Sequence, residues 1–410
     1  KAGLNPYYFQ MVNVREHCSW CTENEQDATK KAKSLVKSGI YRARELETVP
    51  IKKVPVKRFT LVVGGGIAGM NAALDLANQG IKVYLVEKKT TIGGRMAQLD
   101  RTFPTDDCAI WICGPKMLEV NRNPNIEILS YSEVRDISGY VGNYKILVEK
   151  KPRFITEDCN GCGAWTEVCP VYTSNYFDEY LGPRKAIDIA FGQAVPFLYD
   201  IDRNACIECF SCVDECELDA VDFSQRPEQV ELEVGTIIIA TGWDVYQPYE
   251  EYGYGKYENV VNQSQLERML APNGPLEGHV RRISDNKQLK EIVFIQCVGS
   301  REIERPYCSG VCCMLALKNA KLLKEEFPEA NITICYIDIR TNEKGFEEYY
   351  QRAKESRIRM IRGKVGEVME DPETKDVKIR VYSSLTDEII NINADLVVLS
   401  TAVLPSKGTR

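Results

Sequence analysis

The sequence predicts an α/β fold in which a nucleotide-binding domain is interrupted by a cysteine-rich insert. Three observations support this prediction. A glycine-rich strand–turn–helix–strand pattern covers Phe59–Glu87, closely spaced cysteines lie within Cys159–Cys216, and strand patterns resume directly after them. At 410 residues, the chain has room for about two to four domains.

The stretch Phe59–Glu87 has the order of elements of a dinucleotide-binding βαβ unit. Its residue types predict a buried strand at Phe59–Val63, a helix at Ile67–Ala77 and a second parallel strand at Val83–Val86. The turn before the helix carries G-x-G-x-x-G, which is specific only in this strand–helix context. The alternative is a glycine-rich turn that binds no ligand.

Each glycine of this pattern has its own physical role. Gly64 permits the tight turn, Gly66 lets the backbone approach a pyrophosphate at the helix N-terminus, and Gly69 lets helix and strand pack closely. Glu87 is placed to accept hydrogen bonds from an adenosine ribose. The residues predicted to bind the nucleotide here are Gly64, Gly66, Ile67, Ala68, Gly69, Glu87 and Lys88.

Two further turns are predicted to contact a flavin. A Gly-Gly pair follows Glu87, where flavoproteins with two dinucleotide-binding domains bring a loop close to the flavin phosphates and ribityl chain. A buried strand predicted at Thr236–Ala240 ends in an Ala-Thr-Gly turn, which passes near the flavin in such folds. The predicted contacts are Gly93, Gly94, Arg95, Met96, Val134, Ala240, Thr241 and Gly242.

Composition and charge exclude several classes of protein. The net charge of -7 and a pI near 5.3 argue against a nucleic-acid-binding surface, which would be basic. No apolar run approaches the ~18 residues that a membrane-spanning helix needs, and no signal peptide is visible. Because the sequence starts at Lys1 and stops just after a strand, we expect an ordered region of a longer chain.

Cysteine usage indicates iron–sulfur chemistry. The sequence has 16 cysteines and 2 histidines. Secreted disulfide-rich proteins are usually small, so thiolate-bound clusters in a reducing cytoplasm fit this large chain better than disulfides. Zinc is the alternative metal, although the scarcity of histidine removes mixed Cys/His sites.

The insert contains a bacterial ferredoxin run and a second copy of it. The complete run is Cys206-x2-Cys209-x2-Cys212-x3-Cys216, in which the first three thiolates bind one cluster and the fourth binds the neighbouring one. The other copy is Cys159-x2-Cys162…Cys169, with Trp165 at the third ligand position. By this exchange, one 4Fe–4S cluster has four ligands, namely Cys206, Cys209, Cys212 and Cys169.

The second cluster site, with Cys159, Cys162 and Cys216, lacks one cysteine ligand. Three outcomes stay open at this site: a 3Fe–4S cluster, a cubane with a non-cysteine ligand, or no cluster. Cys and Trp codons differ by one base, and UGA is also the selenocysteine codon. Trp165 is therefore either a true substitution or a sequence artefact.

The insert is predicted to be a loop of the flavin domain. Strands are expected at Ile126–Leu129 and Tyr144–Val148 before it, and Val230–Val234 after it is expected to pair with Tyr144–Val148. Such a geometry matters because electron transfer requires cofactors that lie close together.

A second nucleotide fingerprint is expected after the flavin domain, but cysteines replace it. The strand Glu291–Ile295 leads into Cys297 instead of a glycine triplet. Cys308, Cys312 and Cys313 then fall near the start of a helix predicted to reach about Phe327, whose N-terminus stabilises thiolate charge. The four cysteines are predicted to hold another 4Fe–4S cluster, and buried core thiols are the alternative. Further strands are predicted at Ile332–Ile337, Ile358–Arg362 and Asp395–Ser400, the last returning towards the flavin domain.

Lys318 lies five residues beyond Cys313 on that helix. A lysine near a flavin stabilises an anionic reduced isoalloxazine, and Lys318 is therefore a candidate catalytic residue. The alternative is a solvated helix lysine.

The N-terminal segment and the loop after the flavin turn carry further cysteines. Thr22 and Glu25 have capping-box spacing before an amphipathic helix predicted at Gln26–Arg44. Cys18 and Cys21 have half-site spacing, and Cys18 is the stronger candidate metal ligand; core thiols are the alternative. Three interpretations stay open for Cys108 and Cys113: flavin contacts, metal ligands or buried thiols. We favour buried thiols.

Several segments together resemble the A subunit of heterodisulfide reductase and its relatives in anaerobic methanogens, acetogens and sulfate reducers. The most specific match is CVGSRE…PYCSGVCCMLALK. The matching segments are Arg15–Trp20, Gly64–Ala77, Gly93–Thr105, Leu181–Ile187, Gln193–Pro196 and Cys297–Lys318. Trp165, Trp111 in a Cys-rich loop, and the missing C-terminal segments depart from the pattern of longer members.

The resemblance implies FAD on a thioredoxin-reductase-like fold with two dinucleotide-binding domains, an inserted two-cluster ferredoxin domain and a cluster at the Cys-Cys motif. Two to four 4Fe–4S clusters are expected in this region. The resemblance also implies electron bifurcation, in which a two-electron donor supplies one electron to a high-potential, heterodisulfide-type acceptor and one to ferredoxin. Implied partners are B- and C-like subunits, a hydrogenase or formate dehydrogenase, ferredoxin and a second copy of the chain, with no nucleic acid or membrane.

The domain organisation predicted from all these features has six parts. They are residues 1–55 (N-terminal segment), 56–150 (FAD domain, first part), 151–227 (ferredoxin insert), 228–290 (FAD domain, second part), 291–390 (NAD(P)H-like domain with the Cys-Cys motif) and 391–410 (return to the FAD domain). Two other functions stay open. One is an NAD(P)H-dependent flavin oxidoreductase, which the missing second fingerprint disfavours, and the other is a non-bifurcating iron–sulfur relay.

Overall fold

The structure is a computed structural model that describes residue 3, residues 5–50 and residues 53–409. It divides into two compact units, Lys1–Pro55 and Val56–Arg410. No helix in the described part of the chain is long and apolar enough to cross a membrane.

The α-helices and strands have the following bounds. The helices are α1 (Glu25–Arg44), α2 (Ile67–Ala77), α3 (Ala109–Arg122), α4 (Trp165–Val168), α5 (Ser211–Glu215), α6 (Gln263–Leu270), α7 (Cys312–Glu326) and α8 (Phe346–Glu355). The strands are β1 (Phe59–Val63), β2 (Lys82–Glu87), β3 (Ile126–Ser130), β4 (Ser132–Tyr140), β5 (Asn143–Lys150), β6 (Tyr172–Ser174), β7 (Pro183–Lys185), β8 (Ile187–Asp188), β9 (Asp200–Ile201), β10 (Glu228–Val234), β11 (Thr236–Ile239), β12 (Trp243–Val245), β13 (Val260–Asn262), β14 (Glu291–Val298), β15 (Asn331–Tyr336), β16 (Arg359–Glu370), β17 (Val377–Ser383), β18 (Glu388–Ala394), β19 (Leu396–Thr401) and β20 (Val403–Pro405).

The N-terminal unit contains α1, whose start differs from the prediction. The side chain of Asn24 accepts hydrogen bonds from the backbone N–H groups of Gln26 and Asp27 at 2.9 and 3.1 Å. The predicted capping box of Thr22 and Glu25 is therefore wrong, because Glu25 is already the first helical residue. Asn at this position satisfies two N–H groups that have no partner within the helix.

The first dinucleotide-binding sheet is parallel and has the strand order β11-β1-β2-β3. The predicted bounds of β1 and α2 are confirmed, and β1 lies between β2 and β11 in parallel register. An antiparallel three-stranded sheet, β10-β5-β4, packs beside it. Val230 pairs with Val148 and Val234 pairs with Tyr144, so the predicted pairing across the insert is confirmed.

The insert consists of two small antiparallel pairs, β6-β7 and β8-β9, with the short helices α4 and α5. Its core is a separate buried cluster that includes Ile155, Trp165, Tyr199 and Ala220. Because β5 and β10 are neighbours, the insert leaves and rejoins the flavin domain at one place.

The second sheet has seven strands in the order β13-β19-β14-β15-β16-β17-β18. Parallel pairing runs from β13 to β16, and β16, β17 and β18 are antiparallel. With the first sheet, this arrangement confirms the predicted α/β class with two dinucleotide-binding-type domains.

Two predicted positions in this second domain are corrected. The strand β19, predicted to return to the flavin domain, instead lies between β13 and β14, and all six of its residues are buried. A run that is apolar on both faces is typical of a central parallel strand. The chain returns towards the flavin domain only at β20, which pairs with β12. The second sheet begins at β13, which is earlier in the sequence than the predicted domain boundary at residue 291.

Helix α6 is linked to the insert and to the loop after β2 through Arg268, whose side chain is fully buried. Its Nε donates to Asp178 Oδ1 of the insert at 2.8 Å, and its Nη1 donates to the carbonyl oxygen of Gln98 at 3.1 Å. Its Nη2 donates to Asn273 O at 3.0 Å. The guanidinium also lies 4.8 Å from the ring centroid of Phe177.

We expect Arg268→Met to lower the free energy of unfolding by about 3–5 kcal/mol, because the substitution leaves Asp178 without its cation in a buried site. Urea denaturation followed by tryptophan fluorescence measures this change. The control Arg380→Met removes an exposed pair with Glu367 and should cost less than about 1 kcal/mol. Equal effects of the two substitutions would contradict the role of Arg268.

Candidate functional site

Three turns meet at the carboxyl ends of β1 and β11, where the sequence predicts the flavin. Gly93 N–H donates to Gly65 O at 2.8 Å, and Ala240 N–H donates to Val63 O at 2.8 Å. These bonds place the Gly64–Gly66, Gly93–Gly94 and Ala240–Gly242 turns side by side. The structure thus brings together most of the predicted nucleotide-binding residues.

The glycines of the first turn are required by close backbone approach. Gly64 has φ +109°, and a Cβ there would lie 2.3 Å from Ala240 O. A Cβ on Gly69 would lie 1.9 Å from Gly64 O, so only glycine lets α2 pack on the turn. At Gly66, by contrast, the nearest atom to a Cβ is Gly94 Cα at 3.9 Å.

The N-terminus of α2 fits a pyrophosphate. Gly66 is its N-cap residue and no side chain caps the helix. Its first N–H groups therefore have no intrahelical or side-chain acceptor, which is the arrangement that binds phosphate oxygens.

Glu87 is held in place for a ribose by two backbone donors. Its Oε2 accepts from Gly65 N–H at 2.7 Å, and its Oε1 accepts from Lys89 N–H at 2.9 Å. A carboxylate has about four acceptor positions, so capacity remains for the two hydroxyl groups of a ribose. Of the other predicted contacts, Lys88 is exposed and Val134 is half-buried on β4.

Arg95 links the Gly93–Gly94 turn to the Ala-Thr-Gly turn. Its Nε donates to the carbonyl oxygen of Trp243 at 3.1 Å, and its guanidinium lies 4.5 Å from the centroid of that indole. Thr241 contacts Thr409 through their hydroxyl groups at 2.8 Å. Ile67, Ala68 and Met96 lie on the same turns and helix start.

Cys113 is a buried thiol beside the second turn. Its Sγ donates to Gly93 O at 3.7 Å, and burial raises the pKa of Cys113 to about 11. The buried interpretation is therefore the one that the structure favours for Cys113. Cys108 is half-exposed at the start of α3, and Trp111 is 80% exposed.

We expect Gly69→Ala to lower the midpoint of thermal unfolding, because its methyl group would overlap Gly64 O and force α2 away from β1. The matched control is Gly366→Ala in β16, where a Cβ meets no atom within 4 Å. That control should raise the free energy of unfolding by roughly 0.5–1 kcal/mol, because glycine within a strand is less stable than alanine by that amount. Differential scanning calorimetry measures the direction in which each variant shifts the midpoint of thermal unfolding. A higher midpoint for Gly69→Ala would contradict the packing argument.

The insert brings the four predicted ligands of its complete cluster to one place. Cys169, Cys206, Cys209 and Cys212 line the same apolar cavity, together with Ile187, Ile201 and Phe223. Glu208 N–H donates to Cys206 Sγ at 3.4 Å, a bond that tunes cluster potential in such sites. Burial is the main cause that raises the pKa of Cys212 to about 11, and the neighbouring thiol groups add to it. The pKa of Cys209 is lowered, chiefly by a hydrogen bond from the backbone of Ser211.

The two cysteine runs have the same backbone conformation. Gly161 and Glu208 both have positive φ (+72° and +54°), as do Gly163 and Phe210 (+84° and +61°). Trp165 stands in its run at the position that Cys212 holds in the other run, and its side chain is 2% exposed. Its ring packs edge-on against Tyr199 with centroids 5.2 Å apart, and its Nε1 has no hydrogen-bond partner.

Four cysteines also meet where the second nucleotide turn would lie. A β-bulge interrupts β14 between Ile295 and Val298, and Cys297 within it has φ +62°. Bulges of this kind redirect side chains next to functional sites. Cys312 and Cys313 begin α7, and Gly310 N–H donates to Cys308 Sγ at 3.4 Å.

The pKa values of Cys312 and Cys313 reflect their burial and the thiols that lie near them. Burial is the largest cause, and the nearby Cys297 and Cys308 thiols add to it, so the pKa of Cys312 rises to about 12 and that of Cys313 to about 11. Arg301 hydrogen-bonds to Cys297 and pairs with Asp338, which places a cation beside the site. In the described part of the chain, no three residues of the His, Cys, Asp and Glu types converge on a single metal ion.

In the N-terminal unit, Cys18 and Cys21 behave differently. Cys18 is buried and its Sγ donates to Ala28 O at 2.9 Å. Cys21 is exposed, and a hydrogen bond from Lys31 at 3.2 Å lowers the pKa of its thiol. Their role as metal ligands stays a prediction.

Lys318 is not a solvated helix lysine, because its side chain is fully buried. Its Nζ pairs with Glu267 Oε1 at 2.5 Å, and Glu267 Oε2 accepts from Asp100 N–H at 3.0 Å. Asp100 lies at the end of the loop that starts with Gly93. One carboxylate therefore connects Lys318 to the loop predicted to hold the flavin.

Glu267 was not predicted from the sequence as a site residue. It lies 51 residues before Lys318, and no local spacing relates the two. The only available signal was a charged residue pair, Glu267-Arg268, on an otherwise amphipathic helix.

The two sheets and the glycine-rich turn together define an α/β protein of the dinucleotide-binding type with cysteine-lined sites. The family model described as an NAD(P)-binding Rossmann-like domain matches residues 62–127. The crystal structure of T. acidophilum thioredoxin reductase is similar with a TM-score of 0.45 and 15% identity, over 86% of this chain and 80% of that one.

Curated relatives identify the family more specifically. The iron–sulfur A subunit of the CoB–CoM heterodisulfide reductase of Methanocaldococcus jannaschii is 52% identical over 99% of this chain and 63% of the relative. One of the corresponding A subunits of Methanopyrus kandleri is 52% identical over 100% of this chain and 63% of its own length. The A subunit of the H2:CoB–CoM heterodisulfide,ferredoxin reductase of Methanothermobacter marburgensis is 48% identical over the same shares.

The chain therefore belongs to the family of heterodisulfide reductase A subunits, and the predicted resemblance is confirmed along nearly its whole length. The chain spans 63% of the length of these relatives.

Proposed function

We propose that this chain is the flavin and iron–sulfur hub of a heterodisulfide-reductase-type oxidoreductase. The observation that carries the proposal is the replacement at the end of β14. A glycine-rich turn follows β1, whereas four cysteines lie at the equivalent place in the second domain, with Cys297 near the end of β14 and Cys312 at the start of α7. A hydride-transfer pair would need nucleotide turns at both places.

The residues of the first turn would hold FAD. Gly66 and the first N–H groups of α2 would bind its pyrophosphate, Glu87 its ribose, and the turns at Gly93 and Ala240 its flavin end. FAD, when bound, supplies the conversion between two-electron and one-electron transfer. The protein's own contribution is to orient this group, to exclude water and to place Lys318 beside the adjacent loop.

The cysteine-lined sites would continue the electron path on either side of the flavin. Cys169, Cys206, Cys209 and Cys212 would bind one 4Fe–4S cluster in the insert, and Cys297, Cys308, Cys312 and Cys313 would bind another. Cys159, Cys162 and Cys216 would form the incomplete site beside Trp165, and Cys18 would serve a site in the N-terminal unit. The cysteine chemistry fits clusters, because thiolates are their usual protein ligands.

The names of the relatives support the finer part of the proposal. They mention heterodisulfide, ferredoxin and, in one case, F420H2. We propose that this chain likewise bifurcates electrons between a heterodisulfide-type acceptor and ferredoxin, in a cytoplasmic complex with B- and C-like subunits and a hydrogenase or formate dehydrogenase. A second copy of the chain is also proposed within that complex.

The first test is the iron, acid-labile sulfide and FAD content of the purified protein, together with its copurifying subunits. Potentiometric EPR then distinguishes bifurcation from a relay, since bifurcation requires an unstable flavin semiquinone. A stable semiquinone would overturn bifurcation, and bleaching of the flavin by NADH would favour the NAD(P)H-dependent alternative.

We expect Cys212→Ala to remove about one cluster's worth of iron and sulfide, because Cys212 is one of the four proposed ligands of the cluster in the insert. Iron analysis and EPR of the reduced protein measure the loss. The control Cys335→Ala changes a buried thiol on β15 that is not among the proposed ligands. Unchanged iron in Cys212→Ala, or equal loss in both variants, would contradict the ligand assignment.

We expect Lys318→Met to shift the flavin potential to more negative values, because removal of the cation leaves the Glu267 carboxylate near the flavin loop and disfavours an anionic reduced flavin. A tenfold change in the equilibrium corresponds to ~30 mV for a two-electron couple. Redox titration of the flavin absorbance measures the shift. The control Lys324→Met removes a lysine of the same helix that bonds only Ala330 O, and an unchanged potential in Lys318→Met would exclude the proposed role.

A further inference from the structure

One loop of the ferredoxin insert, Asn175–Leu181, reaches the turns that flank the flavin position. Asn175 closes it with several hydrogen bonds, including one from its Nδ2 to Asp178 Oδ2 at 2.7 Å and one from Tyr180 N–H to its carbonyl oxygen at 2.8 Å. Glu179 and Tyr180 both have positive φ, +53° and +66°. Two successive non-glycine residues in this conformation are energetically costly and persist only where the surroundings determine them.

The surroundings of Glu179 come from three separate elements. Its Oε1 accepts from Arg95 Nη1 at 3.2 Å and from Gln98 Nε2 at 3.1 Å, both on the flavin loop. Its carbonyl oxygen accepts from Gln265 Nε2 of α6 at 3.4 Å. The side chain of Glu179 is 12% exposed and that of Arg95 is 28% exposed, so the pair is largely withdrawn from solvent.

Arg95 in turn holds the two turns together. Its Nε bonds the carbonyl oxygen of Trp243, directly after the Ala-Thr-Gly turn, while its Nη1 bonds Glu179. The position of this cation therefore depends on a carboxylate that belongs to the insert and not to either nucleotide-binding domain. Screening by water is weak around such a pair, so the charge of each partner acts over a longer distance than it would in an exposed pair.

We propose that Glu179 is a positioning residue that holds Arg95 in place and offsets its positive charge beside the flavin, and thereby couples the ferredoxin insert to the flavin's reduction potential. This inference rests on the proposed function, since it assumes FAD on the Gly64–Gly66 turn. The insert then has two roles: it carries a cluster, and it supplies the counter-charge that keeps the reduced flavin from being overstabilised by Arg95.

The test is the flavin midpoint potential of the full-length complex with Glu179→Gln. The substitution keeps the shape and removes the negative charge, so Arg95 is left uncompensated and favours the anionic reduced flavin. We expect the equilibrium between oxidised and two-electron-reduced flavin to move about tenfold towards reduced, which is a positive shift of ~30 mV. Glu179→Asp keeps the charge and should retain the wild-type potential.

Two controls separate charge from packing. Gln98→Met weakens the docking of the same loop without any change of charge, and Glu149→Gln removes a carboxylate from an exposed pair with Arg135. Neither should shift the potential. An unchanged potential in Glu179→Gln with full FAD content, or the same shift in Gln98→Met, would overturn the inference.

FAD content distinguishes this result from a failure of the proposed function. If the wild-type protein binds no FAD, the proposed function fails. If Glu179→Gln alone loses FAD while Glu179→Asp keeps it at the wild-type potential, the role of the charge is supported. Loss of FAD from both variants would contradict a role through charge.

Discussion

The geometry of the whole site depends on two adjacent buried charges on α6, Glu267 and Arg268. Arg268 bonds the insert through Asp178 and the flavin loop through Gln98 O, and Glu267 bonds Lys318 of α7 and Asp100 N–H of the same loop. Charges are costly to bury, and each of these is stable only with all its partners in place. The two residues therefore determine one relative arrangement of the flavin loop, the insert and the cysteine-bearing helix.

Apolar contact also joins the insert to the flavin domain, since Phe177, Phe191 and Val195 lie in the same buried cluster as Met70 and Leu85. An apolar interface tolerates small sliding movements, whereas a fully satisfied charge network is lost when one donor moves by more than a hydrogen-bond distance. An electron path needs fixed separations between its carriers. The buried charges of α6 supply that rigidity where the flavin loop, the insert and α7 meet.

The second domain keeps the strand and helix that frame a nucleotide turn and carries cysteines where the turn would lie. The parallel strand β14 and the helix α7 that follows it are retained, so their ends still form a crevice at the edge of the sheet. In the first domain the crevice is lined by glycine backbone, and in the second it is lined by Cys297, Cys312 and Cys313. A helix N-terminus favours negative charge, which suits a phosphate in the first domain. In the second domain burial outweighs this effect and raises the pKa values of Cys312 and Cys313.

The elements that could be predicted from sequence are those with local signals. The glycine spacing identified β1, α2 and their turn, and the cysteine spacing identified the insert, because both patterns lie within a few residues. The start of α1 was misplaced because Thr22, Asn24 and Glu25 compete for capping, and local spacing does not decide between them. The position of β19 could not be predicted, since strand order depends on packing across the sheet and not on the composition of the strand.

Contacts between distant segments were the part that sequence could not supply. Glu179, Glu267 and Arg268 have no motif, and each acquires a role only when the fold brings a partner from 51 to 170 residues away. The insert illustrates the reason. Its two ends are held by the β5–β10 pairing, Val195 hydrogen-bonds Ile92 and Thr91 of the flavin domain, and the loop at Glu179 reaches Arg95 and α6. An insert anchored only at its ends could pivot about β5 and β10, and the further anchors remove that freedom and keep its cysteines at a constant distance from the flavin turns.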